Sequence, residues 1–384
     1  ISAQIDATGS AFETFLNWDY LTGAIVGFLI VAIYCIAGGF LAAAWTDMFQ
    51  GAVMLICLML LPLVAFLSLS NAGSIYEGLR AIEPGLVSMW GSGGFNLMNL
   101  SVVIGMGLIG LGFLGSPQVF ARLIAIRSES QINRGKWAAI LFTILVDFSA
   151  VSIGVLGRYI FTTAGVEPDA VLGNGAQNVL SELVEYTFPP WIVGLYVAAV
   201  LSAIMSTVSS LLVMAAGSIT HDLYEKIYNP KLTDSDAARM CQRITLVLAA
   251  CSLGVAIVVS ILSPDRTIFW FVIFGWAGIA ATFCPMIILS LFWPRFTERA
   301  AIASMLTGFF MTIISKFVLQ TLDGIGPYFV ALETMPPSFL SALIVGYLVT
   351  IMWPDEELEA SYRQDLVHIE QQDLELPSNT VSNT

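Results

Sequence analysis

Long apolar runs separated by short polar ones set the pattern of this chain. A hydrocarbon core about 30 Å thick takes roughly 20 apolar residues of helix. Stretches of that kind run over 21–38, 47–69, 98–121, 135–161, 189–218, 239–262, 267–293, 298–320 and 336–353. Turn-forming pairs punctuate them, among them Gly38-Gly39, Pro84-Gly85, Pro189-Pro190, Ser263-Pro264 and Pro336-Pro337. The pattern predicts an all-α, polytopic membrane protein with about nine transmembrane helices.

Composition agrees. The 384 residues are 57% hydrophobic and 11% charged, where soluble domains carry about 25% charged residues. So few charges cannot supply the polar skin of a globular enzyme. The net charge of −13 repels phosphate, and the basic residues are scattered among loops, so no nucleic-acid partner is expected. The partner that composition implies is the lipid bilayer.

The position of the positive charges gives an orientation. With the start of the first span outside, the inside connections hold Arg122, Arg127, Arg134, Lys136, Lys226, Lys231, Arg239, Arg243, Arg295, Arg299 and Arg363. The outside loops hold only Arg80, Arg158 and Arg266, and Lys316 lies within a span, where snorkelling or packing would accommodate it. This predicts a multi-pass protein of the cell membrane with a cytoplasmic C-terminus. Residues 1–354 then form the transmembrane region, and 355–384, with eight acidic residues against Arg363, form an acidic cytoplasmic tail. The chain begins with Ile1 and shows no signal-like segment, so an upstream part is expected. Cys35, Cys57, Cys241, Cys251 and Cys284 all fall in apolar stretches and read as small buried hydrophobes. His221 and His368 are too far apart for a metal site or a triad.

The third span breaks the helical pattern. Between Gly105 and Gly115 it holds five glycines in eleven residues, with Pro117 following. Glycine costs about 1 kcal/mol per helical position and proline removes a donor, so unwinding near mid-membrane is expected. Unwound backbone persists in a bilayer only where protein covers it or it lines a cavity, which points to a binding site. Close packing through small residues would explain the glycines but not the proline.

The fifth span carries Ala203, Ser206, Thr207 and Ser210 on one face at i, i+3, i+4, i+7 spacing. Hydroxyl and carbonyl oxygens are hard donors suited to an alkali cation, although Ser and Thr in membrane helices also bond back to the i−4 carbonyl. Trp45-Thr46-Asp47 opens the second span, where Thr46 or Asp47 could serve as an N-cap. Asp147, in the middle of the fourth span, is an intramembrane carboxylate and by default a functional residue, or a neutral one bonded to a neighbouring helix.

Those stretches carry a resemblance. Tyr34 to Gln50, Leu111 to Arg122, Leu201 to Ser210 with Ile219 to Tyr224, and Gly275 to Gly278 together make the chain similar to the sodium/solute symporter family, nearest its bacterial sodium/proline symporters. The resemblance covers about residues 12–320. It implies a five-plus-five inverted-repeat core of which this chain holds the later part, with the second repeat in spans three to seven. It implies Na+ as the coupling ion, held first by Ala203, Ser206 and Thr207. A possible second sodium falls to Asp47 with Ser206, Ser209 and Ser210. Solute contacts fall to Ile109, Gly110, Gly112, Phe113 and Pro117, with Trp276 as a wall of the site or as ordinary bundle packing. Ile109 and Phe113 stand where proline transporters of the family place a Trp and a Tyr, which removes an indole N–H and a phenol O–H. The function so implied is sodium-coupled import of a small organic solute, proline first, by alternating access and without catalysis. Pantothenate, a sugar or sialic acid are the other solutes, and a transporter-like sensor is the reading outside transport.

Overall fold

The structure, a computed structural model, describes residues 1–384 apart from 70–74, 230–232, 356–358 and 362–384, and apart from the side chains of 37–42. The acidic tail therefore lies almost wholly outside the described residues. Among the described residues fourteen α-helices follow one another: α1 Ser2–Leu16, α2 Tyr20–Ser68, α3 Ile75–Ile82, α4 Leu97–Leu108, α5 Pro117–Ile124, α6 Glu129–Phe161, α7 Asp169–Leu172, α8 Val179–Thr187, α9 Pro190–Gly217, α10 Asp234–Leu262, α11 Ile268–Phe292, α12 Glu298–Phe317, α13 Gly326–Leu332 and α14 Met335–Met352. Ser218–Tyr228 continues α9 as a π-helix, past the predicted end of that span.

Eight helices among the described residues are long and apolar enough to cross a membrane, and Tyr20–Ile36 is a shorter apolar helix. Together they match the predicted stretches, with one correction. The first two belong to a single helix, α2, which runs unbroken through Gly38-Gly39. Two glycines cost only about 2 kcal/mol in a helix, too little by themselves to end one between two strongly apolar helical stretches. A second correction concerns the cysteines. Cys35, Cys57 and Cys284 are buried as expected, but Cys241 is half-buried and Cys251 exposed.

The chain divides into two compact units, 1–94 with 121–272, and 95–120 with 273–384. In the first, Cys57, Leu61 and Ala65 of α2 pack with Ile153 and Leu156 of α6, Leu183 and Val184 of α8, and Tyr196 and Ala199 of α9. The Tyr196 hydroxyl donates to the Cys57 carbonyl at 2.9 Å. Beside this, Val31 and Cys35 meet Ile204, Val208 and Leu212 of α9 and Ala249 of α10, and Tyr34 donates to the Met205 carbonyl at 3.0 Å. Hydrocarbon supplies no hydrophobic drive between helices, so small side chains and cross-helix hydrogen bonds hold the contacts.

In the second unit, Pro285 sits inside α11 and has no N–H for the carbonyl of Ala281. Gly308 of α12 approaches that carbonyl so closely that a Cβ there would overlap it. α12 joins α14 through Ser304, whose hydroxyl donates to the Ala342 carbonyl at 3.0 Å.

The sequence reading misses α1 and its anchor. Asp6 is 1% exposed and pairs with Arg266, from the connection before α11, whose Nε lies 3.1 Å and 3.2 Å from the two carboxylate oxygens. The Tyr20 hydroxyl also donates to Asp6, at 2.5 Å, and the guanidinium lies 5.4 Å from the Tyr20 ring centre. Removing one partner of a buried pair strands the other, at a cost of about 3–5 kcal/mol. Arg266→Gln should therefore lower the thermal midpoint of the purified protein sharply, and Arg266→Gln with Asp6→Asn should recover part of the loss; equal midpoints for wild type and single variant would remove this role.

Glu333, in the connection to α14, gives a pH test. Burial raises its pKa from the ordinary 4.5, with Lys316 opposing. A carboxyl with a raised folded pKa keeps its proton longer in the folded state, so stability falls as pH climbs from the ordinary carboxylate range through the folded value. Glu333→Gln should flatten that decline above the ordinary carboxylate range in thermal scans, and an unchanged slope would assign the decline to other groups.

Candidate cation and solute sites

In the first unit the hydroxyl face of α9 meets α2. The Thr207 hydroxyl donates to the Ala203 carbonyl at 3.1 Å, and Ser209 donates to the Ser206 carbonyl at 3.0 Å. Both are back-bonds of the local kind, yet a hydroxyl that donates keeps its lone pairs for a cation. Ser209 is fully buried and Ser210 nearly so, whereas Ala203, Ser206 and Thr207 are half-buried. Ala203 lines a cavity of about 680 Å³ bounded by α1, α2, α8 and α9, with Glu13 and Glu182 at its wall.

Asp47 lies inside α2 and caps nothing, which corrects the capping alternative. Its carboxylate forms an ion pair with Arg122 of α5 and accepts from the Ser210 hydroxyl at 3.1 Å. Arg122 also donates to Ser210, at 2.5 Å. The other Asp47 oxygen, Oδ1, is buried with no hydrogen-bond partner, and so is Oε1 of Gln50 one turn away. The structure thus gathers Asp47, Ser210 and Arg122. Arg122 is missed in the sequence reading because it registers there only as a topological charge.

In the second unit the third span breaks where glycine and proline predict. α4 ends at Leu108, Ile109–Gly115 tightens into 3₁₀ turns, Ser116 is extended, and Pro117 starts α5. The break is not open coil, because 3₁₀ bonding still satisfies part of the backbone. Trp276 of α11 closes on it. Its indole N–H donates to the Ile109 carbonyl at 3.0 Å, its ring meets Phe113 edge-on at 4.9 Å, and a Cβ on Gly112 would collide with it. Cys284 donates to the Leu111 carbonyl at 3.0 Å, and Gly115 packs on the Cys284 backbone. Gly110 and Gly107 face open space. Ile109, Gly110, Gly112, Phe113 and Trp276 are thus together, and Pro117 marks the end of the break. Buried Ser116 Oγ and Gln118 Oε1 have no partner, a signal the sequence does not carry. Asp147 is exposed on α6.

The sequence profile of the Sodium:solute symporter family matches residues 1–308. The chain belongs to that family. It is 30% identical over 352 residues to the high-affinity proline transporter PutP of Bacillus subtilis, covering 88% of this chain and 71% of that one. It is 29% identical to the osmoregulated proline transporter OpuE of the same organism, covering 92% and 68%. With the sodium/proline symporter of Escherichia coli it shares 30% identity, covering 81% and 60%. A solved structure, described as the substrate-bound outward-open state of a Na+-coupled sialic acid symporter with a novel Na+-site, aligns at a TM-score of 0.64 and 16% identity over 92% of this chain and 73% of that one. At that identity the likeness speaks for the fold. The symporter fold, the membrane-embedded character and Na+ as the coupling ion follow from the family.

The glycines of the break differ in what they face, and this gives a paired test. Gly115→Ala places a methyl against the Cys284 backbone nitrogen, 2.5 Å away, an overpacking worth about 1–3 kcal/mol. Gly107→Ala enters open space and should be neutral or slightly stabilising. Thermal midpoints in detergent check the pair, and a tolerated Gly115→Ala would mean that the break is not tightly held.

Proposed function

We propose that this family member imports proline together with sodium by alternating access, with its C-terminus in the cytoplasm. The observation that carries the reading is the 3₁₀ break at Ile109–Gly115 inside a membrane span. Together with Pro117, it forms the solute platform, and Trp276 braces its wall. Ala203, Ser206 and Thr207 hold the first sodium through a carbonyl and two hydroxyl oxygens, a donor set hard enough to select an alkali cation and weak enough to release it. Asp47, Ser209 and Ser210 hold a second. Sodium favours the outward-facing arrangement and solute binds it better, which is the coupling each ligand must supply. One charge moving down 100 mV provides about 2.3 kcal/mol before any concentration term. The eleven inward-placed basic residues support the orientation.

One observation favours a different solute of the same family. Ile109 and Phe113 offer no polar side-chain group, and the Trp276 N–H is already committed to the Ile109 carbonyl. The buried, unpartnered Ser116 hydroxyl then becomes the available handle. Counterflow with labelled proline against pantothenate, sugars and sialic acid separates the readings.

Ser206→Ala with Thr207→Ala should cut sodium-dependent uptake more than about tenfold, since each lost ligand costs on the order of 1 kcal/mol or more. The check is initial-rate uptake across a sodium series at equal protein in the membrane. Full uptake by the double variant would remove the cation role of this face.

A further inference from the structure

We propose that the Arg122 guanidinium is a built-in occupant of the second cation position, holding Asp47 and Ser210 until sodium displaces it. The inference rests on the reading of Asp47, Ser209 and Ser210 as a sodium site, and it adds the residue that sets the sodium concentration at which that site fills. The geometry is a closed triangle. Arg122 donates to both Asp47 and Ser210, and Ser210 donates to the same carboxylate oxygen that Arg122 engages. A cation placed on that oxygen and on Ser210 would meet the guanidinium on the very atoms it needs. Two positive charges competing for the same oxygens repel at contact distance, so the two occupants exclude one another.

The two partners differ in freedom. The Asp47 side chain is 13% exposed and that of Arg122 47%. The carboxylate is fixed in place and costly to leave bare, while an ion pair with a half-exposed arginine is weak and readily opened. The guanidinium can therefore swing to water when sodium arrives. The buried, unpartnered Asp47 Oδ1 supplies an oxygen that the guanidinium leaves unused and a compact ion can take. Oxygen donors without a nitrogen ligand favour the hard cation.

The test uses the full chain carrying Arg122→Gln, Asp47→Asn, or both. Two readouts are followed at constant ionic strength with choline replacing sodium: the sodium concentration giving half of the thermal stabilisation in detergent, and that giving half-maximal solute uptake in proteoliposomes. Arg122→Gln should lower both concentrations about twofold to fivefold, the effect of removing a competing, half-exposed ion pair. Asp47→Asn should raise them, and Arg122→Gln should add nothing in the Asp47→Asn background. Half-saturating sodium that is unchanged or higher in Arg122→Gln, with Asp47→Asn still raising it, overturns the displacement while leaving the second site intact. Sodium dependence untouched by Asp47→Asn overturns the second-site reading and this inference with it. Should Arg122→Gln fail to fold, Arg122→Lys keeps the charge but loses the planar guanidinium, whose one terminal nitrogen reaches both oxygens. It should lower half-saturating sodium about twofold on the same grounds, and an unchanged value overturns the proposal.

Discussion

A peptide group in hydrocarbon has no water to bond to, and most of this structure follows from that constraint. It makes the serines and threonines of α9 bond back onto their own helix. At Ile109–Gly115, where glycine and proline weaken the helix, the backbone tightens to 3₁₀ turns and hands carbonyls to the indole of Trp276 and the thiol of Cys284. A break maintained in this way is expensive backbone, held in place by specific side chains from α11.

Charge follows the same economy. Asp6, buried at the foot of α1, is met by Arg266 and Tyr20 together. Asp47 is met by Arg122 and Ser210, but one of its oxygens is left over. The first arrangement is saturated and acts as a brace. The second is unsaturated and half open to water on its arginine side, the condition under which a ligand ion can compete.

Much of this is legible in the sequence. Apolar runs locate the spans to within a few residues, because bilayer thickness fixes their length, and the glycine-proline cluster locates the break. The hydroxyl spacing on α9 picks the face that meets α2, but not the partners it meets there. What the sequence hides is contact between distant segments. Arg122 is a topological charge until α5 brings it to Asp47, and α1 is an unremarkable stretch until Asp6 finds Arg266. Gly38-Gly39 misleads for a different reason, since a glycine pair costs only about 2 kcal/mol in a helix and a local punctuation rule overrates it.

The brace on α1 also has a meaning in time. Asp6 and Arg266 are 260 positions apart, so the carboxylate emerges from the ribosome long before its partner exists. At about 5–20 residues per second, the interval is on the order of 13–50 s. For that period the Asp6 carboxylate lacks its guanidinium partner, and the brace on α1 closes only once the connection leading into α11 has been made.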